Sequence, residues 1–153
     1  MLTFSALVVA GYIAVMYLTQ GFAFGPYQIR IASAFYALAY PFPFLILPIA
    51  LANTLANALI GGLGVPDIVG GFAIGVITAG LVALPRKLNL PMWLVIPPII
   101  LAPGFIVPLW LSPIYGLPYW PLVLSISIGQ TLPAILGYIL IQALAKRKMG
   151  EDL

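Results

Sequence analysis

In a chain this apolar the few polar side chains are where chemistry must be sought, and their spacing is informative. Arg30 opens a short apolar stretch. A guanidinium there has two readings. It snorkels to a membrane interface, or it turns its five N–H groups towards a pocket, where they grip a carbonyl or an anion. Gln28 and Ser33 lie close by in sequence and are placed to share that pocket. Asn53 and Asn57 are four residues apart, hence on one helix face, with Thr54 beside the first and three residues from the second. Such amides either hold one membrane helix to another or offer a polar heterocycle both donors and acceptors. Asp67 stands ahead of an apolar run, as a helix N-cap or as a ligand contact. Gln130, within IGQTLP, carries an amide that needs a partner when buried; a neighbouring helix and a ligand both qualify. Trp110, Tyr115, Tyr119 and Trp120 gather in one stretch. They suit an interfacial aromatic belt and equally a lid that stacks on a flat substrate.

The rest of the composition narrows what those residues can do. Of 153 residues, 63% are hydrophobic and only 6% charged, and mean hydropathy is +1.17. A water-soluble domain carries roughly 25% charged residues, so the solvent that fits is lipid. The chain has no Cys, hence no disulfide, thiolate ligand or thiol nucleophile. It has no His, hence no imidazole base or ligand. Its three acids are Asp67, Glu151 and Asp152, and two of these sit in the polar tail, which leaves no carboxylate pair for acid–base work. The sequence predicts neither an enzyme nor a cofactor or metal site. The net charge of +3 comes from six basic residues, an orientation signal for a membrane protein and not a nucleic-acid surface.

Breakers and charges divide the chain into the elements that must position these groups. A membrane-spanning helix needs about 20 apolar residues. The sequence predicts six, at about 2–20, 28–40, 44–60, 68–84, 92–111 and 122–145. The second is too short to cross untilted, and four prolines must kink or break the fifth. Glycine- and proline-rich loops are expected at 21–27, 61–67 and 112–121. Residues 1–145 form a single transmembrane domain on this reading, and 146–153 a polar cytoplasmic tail. The first run lacks the basic n-region of a secretory signal and is of spanning length. With six passes both termini share one side. Arg86-Lys87 and Lys146-Arg147-Lys148 fall on that same side, and Arg30 on the other, so the termini are expected to be cytoplasmic. Ala6, Ala10 and Ala14 form a small-residue stripe on the first span. It lets another helix approach closely, in this chain or in another protein.

The stretch FGPYQIRIASA (24–34), LANTLANALIGGLGVPDIVGG (51–71) and the glycine-rich span after it resemble the QueT family. Phe24-Gly25-Pro26-x-Gln28-x-Arg30 carries most of the likeness, followed by the Asp67-Ile68-Val69-x-Gly71 corner, and the similarity runs over about residues 1–145. Members are proposed queuosine-precursor transporters, acting as substrate-binding (S) components of energy-coupling factor (ECF) importers. The resemblance implies a six-helix bundle with a site towards the outside, beneath the first, third and fifth connections. It implies that Ala6, Ala10 and Ala14 dock on a membrane-embedded T component. ATP hydrolysis is then left to a separate ATPase pair, and the chain has no GxxxxGK[ST] loop. The expected pocket consists of Gln28, Arg30, Ser33, Asn53, Asn57, Asp67 and Gln130, with Tyr115, Tyr119 and Trp120 as lid. Two departures matter. Ser33 stands where members usually have an acid, and Gln130 follows Gly129 where they often have Glu. Without those anions a cationic aminomethyl precursor fits less well than its neutral nitrile form, and a different vitamin-like metabolite also becomes admissible. From other function classes come a self-sufficient homo-oligomeric carrier or channel, and a scaffold subunit that binds no ligand.

Overall fold

The structure, a computed structural model, describes residues 1–24 and 27–151, with side chains as far as Arg147; expectations resting on Gly25, Pro26 and the charged tip of the tail fall outside that range. Every regular element among the described residues is helical, the arrangement that satisfies backbone groups without water. Helix α1 is Leu2–Leu18, α2 Pro43–Gly61, α3 Val65–Lys87, α4 Met92–Tyr115 and α5 Tyr119–Glu151. A single helical turn, Gln20–Ala23, follows α1, and a 3-10 helix, Ile31–Ala39, precedes α2. Among the described residues four helices, α2 to α5, are long and apolar enough to cross a membrane, and α1 is a shorter apolar helix. Leu7, Leu47, Leu51, Leu124 and Ile128 all point outward, as befits a chain bathed in hydrocarbon.

Several boundaries differ from the sequence reading. Helices α3 and α4 outrun their predicted C-terminal ends because Pro85 and Pro113 are held inside them, and Pro103 and Pro133 are likewise inside α4 and α5. Neighbouring helices and local adjustments make such prolines tolerable in an apolar bundle. The expected break in α4 occurs at Val107, where Pro108 opens the second half and its missing N–H costs nothing. The connection predicted at 112–121 shrinks to residues 116–118, since α4 runs on to Tyr115 and α5 begins at Tyr119. Gly116, at φ +65°, makes that short turn, and Gly62, at φ +69°, ends α2, a conformation that glycine adopts without a side-chain penalty.

The short second segment is resolved in an unusual way. A 3-10 helix rises about 2.0 Å per residue against about 1.5 Å for an α-helix. Nine residues therefore reach about 18 Å instead of about 14 Å. The segment is rich in small residues, with Ala32, Ser33, Ala34, Ala37 and Ala39 all buried, so the eclipsed three-residue spacing does not crowd. Glycines on α5 admit it: a Cβ on Gly137 would stand 2.8 Å from the Ala34 carbonyl oxygen, and one on Gly129 would overlap that of Tyr27. The α2–α3 contact uses the same device, since a Cβ on Gly75 would lie 2.7 Å from Ala50 Cα.

The contacts define two ends of the bundle. Phe4 packs edge-on against Phe42 and Phe44. Arg86 donates to the Pro41 carbonyl, and Met92, Ile141 and Arg147 line one hollow with Tyr40 and Phe42. Arg30, Asn57, Asp67 and Trp110 meet at the other end.

Candidate functional site

The site is built on a match of spacings. Asn53 and Asn57 are one turn apart on α2, and Asp67 and Gly71 are one turn apart on α3. Asn53 Nδ2 donates to the Gly71 carbonyl at 2.8 Å, and Asn57 Nδ2 to the Asp67 carbonyl at 2.8 Å. Gly71 has to be glycine, because a Cβ there would collide with Asn57 Nδ2. With one N–H of each amide given to α3, the two amides present their oxygens to Arg30. Nη1 reaches Asn53 Oδ1 at 2.9 Å and Nη2 reaches Asn57 Oδ1 at 2.6 Å. The asparagines thus hold helices together and also build the polar cluster. Asn57 opens a one-turn π-helical widening, Asn57–Gly61, a distortion often found at functional sites.

Arg30 itself is buried at 6% exposure, so it does not snorkel. Its Nε donates to the Ala23 carbonyl, and its guanidinium lies 4.9 Å from the centre of the Phe24 ring. Every one of these partners is neutral. Three of the five guanidinium N–H groups are committed, which leaves one on each terminal nitrogen.

Asp67 is buried inside the first turn of α3 and does not cap it. The N-cap is Gly64, and no side chain makes the capping bond; the helix starts earlier than expected because Pro66 is accommodated in its first turn. The carboxylate instead accepts from Trp110 Nε1 at 3.0 Å, while its Oδ2 has no partner among the described residues. It still lies where the helix dipole favours an anion.

Gln28 and Gln130 form a second, adjoining group. Gln130 Nε2 donates to the Gln28 carbonyl at 3.1 Å, across 102 residues of sequence. Both side chains are buried, and Gln28 Nε2 and Gln130 Oε1 lack partners among the described residues. Gln28 has φ +44°, a left-handed backbone that costs a non-glycine residue about 1–2 kcal/mol and tends to persist at functional sites. The fit of Gly129 against Tyr27 holds it in place. Ser33 is buried just beyond, its N–H bonded to the Arg30 carbonyl at 2.8 Å.

The aromatic residues separate. Trp110 joins the cluster through Asp67. Tyr119 donates to the Phe105 carbonyl at 2.7 Å and meets the Trp120 ring edge-on. Tyr115 is 36% exposed and Trp120 69%; both sit at helix ends and not in a loop. On α1 the faces divide cleanly. Val8, Tyr12 and Met16 are buried, whereas Ala6, Ala10 and Ala14 are exposed, so the stripe does not serve packing within this chain. Ala10 and Ala14 line an outward groove with Leu59 and Ile60 of α2.

One member of the cluster was missed by sequence reasoning, and the place of another was misread. Tyr12 donates to Asn53 Oδ1 at 3.2 Å, and four-residue spacing from Val8 and Met16 was its signal. Trp110 was grouped with the other aromatics, with nothing to pair it with Asp67.

Residues 2–146 match the family described as QueT transporter. The chain belongs to that family. Together with the four long apolar helices, membership makes this QueT protein a multi-pass membrane protein. No curated protein and no solved structure matches it, so the assignment rests on the family match and on the residues that carry it.

Proposed function

We propose that this QueT-family chain is the non-catalytic S component of an ECF-type importer. It captures a small planar metabolite, a queuosine or archaeosine precursor with a deazapurine base, and delivers it inward when docked on a T component and an ATPase pair. The observation that carries the reading is a set of three buried side-chain atoms beside the Arg30 cluster without partners among the described residues: Gln28 Nε2, Gln130 Oε1 and Asp67 Oδ2. Leaving such atoms unpaired costs about 1–3 kcal/mol each. One donor and two acceptors complement a 2-amino-lactam edge, which brings one carbonyl and N–H groups at two positions. The two free N–H groups of Arg30 add grip on a carbonyl or a nitrile, and Tyr115, Tyr119 and Trp120 supply the covering aromatics. Ser33 and Gln130 are neutral, which favours the nitrile precursor over the aminomethyl cation.

Six passes with cytoplasmic termini accommodate the geometry. The stretch from Arg30 to Pro41 runs from the Asp67 end of α3 to its Arg86 end, and the 3-10 rise supplies the reach. Arg86, Lys87, Lys146 and Arg147 collect at the end where α1 begins, as the positive-inside rule requires for a cytoplasmic face. Exposure of Ala6, Ala10 and Ala14 supports their use as the docking stripe.

Calorimetry on the detergent-solubilised chain tests the reading, with nitrile and aminomethyl precursors side by side. Tighter binding of the nitrile is expected, and Arg30→Ala should weaken it about ten- to a hundred-fold. Binding of neither precursor would overturn the substrate, and an unchanged affinity in Arg30→Ala the site. Ala10→Trp should bind ligand normally yet fail to co-purify with the T component; normal co-purification would refute the docking stripe.

A further inference from the structure

At the end of the bundle opposite Arg30, two apolar hollows meet at a single arginine. The first, of about 460 Å³, is walled by Phe42, Met92, Ile141 and Leu144, with Arg86 and Arg147 on its lining. The second, of about 560 Å³, is walled by Pro43, Ile46, Ala83 and Leu84 and shares Arg86. Arg86 is anchored between them by its bond to the Pro41 carbonyl, yet it is exposed, so its other N–H groups are available at the rim. Asp67, the acid whose side chain is described, lies at the far end of α3.

We infer that the paired hollows bind one anionic phospholipid, its phosphate held by Arg86 and Arg147 and its two acyl chains laid in the two hollows. Each part of the occupant answers to a feature. Two arginines, with Lys87 on the lining of the second hollow, call for a net negative headgroup. A zwitterionic lipid brings its own cation and gains less. The walls call for hydrocarbon, which a soluble phosphate lacks. One headgroup joined to two chains matches two hollows joined at one arginine, and basic pockets between helix ends at a membrane surface are where anionic headgroups bind. The inference stands on membrane embedding alone, independently of the S-component role.

Native mass spectrometry of the full-length chain in detergent tests it, with dioleoylphosphatidylglycerol compared against dioleoylphosphatidylcholine. One retained phosphatidylglycerol per chain is expected, in preference to phosphatidylcholine. Arg147→Ala should cut that preference about five-fold and the double variant with Arg86→Ala about thirty-fold, the weight of one and of two basic groups near an anionic leaflet. Arg86→Ala also loses the Pro41 contact. Leu144→Trp and Ala83→Trp therefore give independent checks: each fills one hollow without changing charge, and each should displace the lipid. Lys146→Ala, outside both linings, should leave the preference unchanged. Equal retention of the two lipids would overturn the inference, as would a Lys146→Ala loss matching that of Arg147→Ala. So would competition by chainless glycerol 3-phosphate as strong as that by the lipid, because the site would then be a diffuse or soluble-anion one.

Discussion

The two ends of the molecule both carry arginine and treat it in opposite ways. Arg30 is buried, and three neutral oxygens and a phenylalanine ring hold it in one orientation. Arg86 and Arg147 are exposed at the rim of apolar hollows, and Arg86 is tied by one backbone oxygen. The first arrangement is expensive, because a cation taken out of water must be repaid by many hydrogen bonds. A chain with so few polar side chains commits two asparagines and a tyrosine to that end. The second arrangement costs little, since water and headgroups solvate the charge. What separates them is preorganisation: one end fixes a donor fork in space, and the other offers charge to whatever lies on the membrane surface.

The contrast breaks most readily at Asn53, which joins Tyr12, Arg30 and α3 at once. Asn53→Ala leaves a buried guanidinium and a buried hydroxyl short of an acceptor, and it cuts one tie to α3. The expected loss is about 3–5 kcal/mol, read as a lowered Tm in detergent. Arg147→Ala at the other end should stay within about 0.5 kcal/mol of the native chain. Equal Tm shifts for the two would mean that the Arg30 cluster is no better organised than the rim.

A second comparison concerns how tightly each region is clamped. Gly129→Ala places a methyl group against the Tyr27 carbonyl, and backbone cannot swing aside as a side-chain tip can. Overpacking of this kind costs about 1–3 kcal/mol. It should push residues 27–30 off α5 and sever the Gln130–Gln28 bond. Gly80→Ala is the control, because nothing lies within 4 Å of a Cβ there, and it should be neutral or slightly stabilising. If Gly129→Ala unfolds at the native temperature and binds ligand with native affinity, the clamp on Gln28 plays no part in the site.

Much of the polar cluster was legible in the sequence for a simple reason. In an apolar chain, buried polar groups have few possible partners besides one another. Arg30, Asn53, Asn57 and Asp67 therefore converge much as spacing suggests, and Gln28 meets Gln130. What was not legible depends on shape. Nothing in local sequence pairs Trp110 with Asp67 across 43 positions, or shows that Gly129 exists to admit a carbonyl. Prolines were read as helix ends at 85 and 113, yet they lie inside helices, because the signal is calibrated on chains whose freed carbonyls face water. The 3-10 winding of residues 31–39 was equally hidden. Alanine-rich sequence suits an α-helix well, and the longer rise is imposed by the distance to be covered and by the glycine face of α5.

The finest division lies between two neighbouring aromatic residues at the Arg30 end. Tyr119 is tied to the Phe105 carbonyl, so its position is fixed by α4. Trp120 meets the edge of that tyrosine and is mostly exposed. Trp120→Ala should therefore change stability by no more than about 0.5 kcal/mol. Its effect on ligand binding is the informative quantity. An indole that folds over a flat ligand contributes about 0.5–1.5 kcal/mol of stacking, so affinity measured by calorimetry should fall about two- to ten-fold. Trp120→Phe, which keeps a stacking face and loses the indole N–H, should recover most of that loss. Native affinity in both variants would assign Trp120 to the membrane interface. The cover would then fall to Tyr115 and Tyr119, of which Tyr119 is already oriented before any ligand arrives.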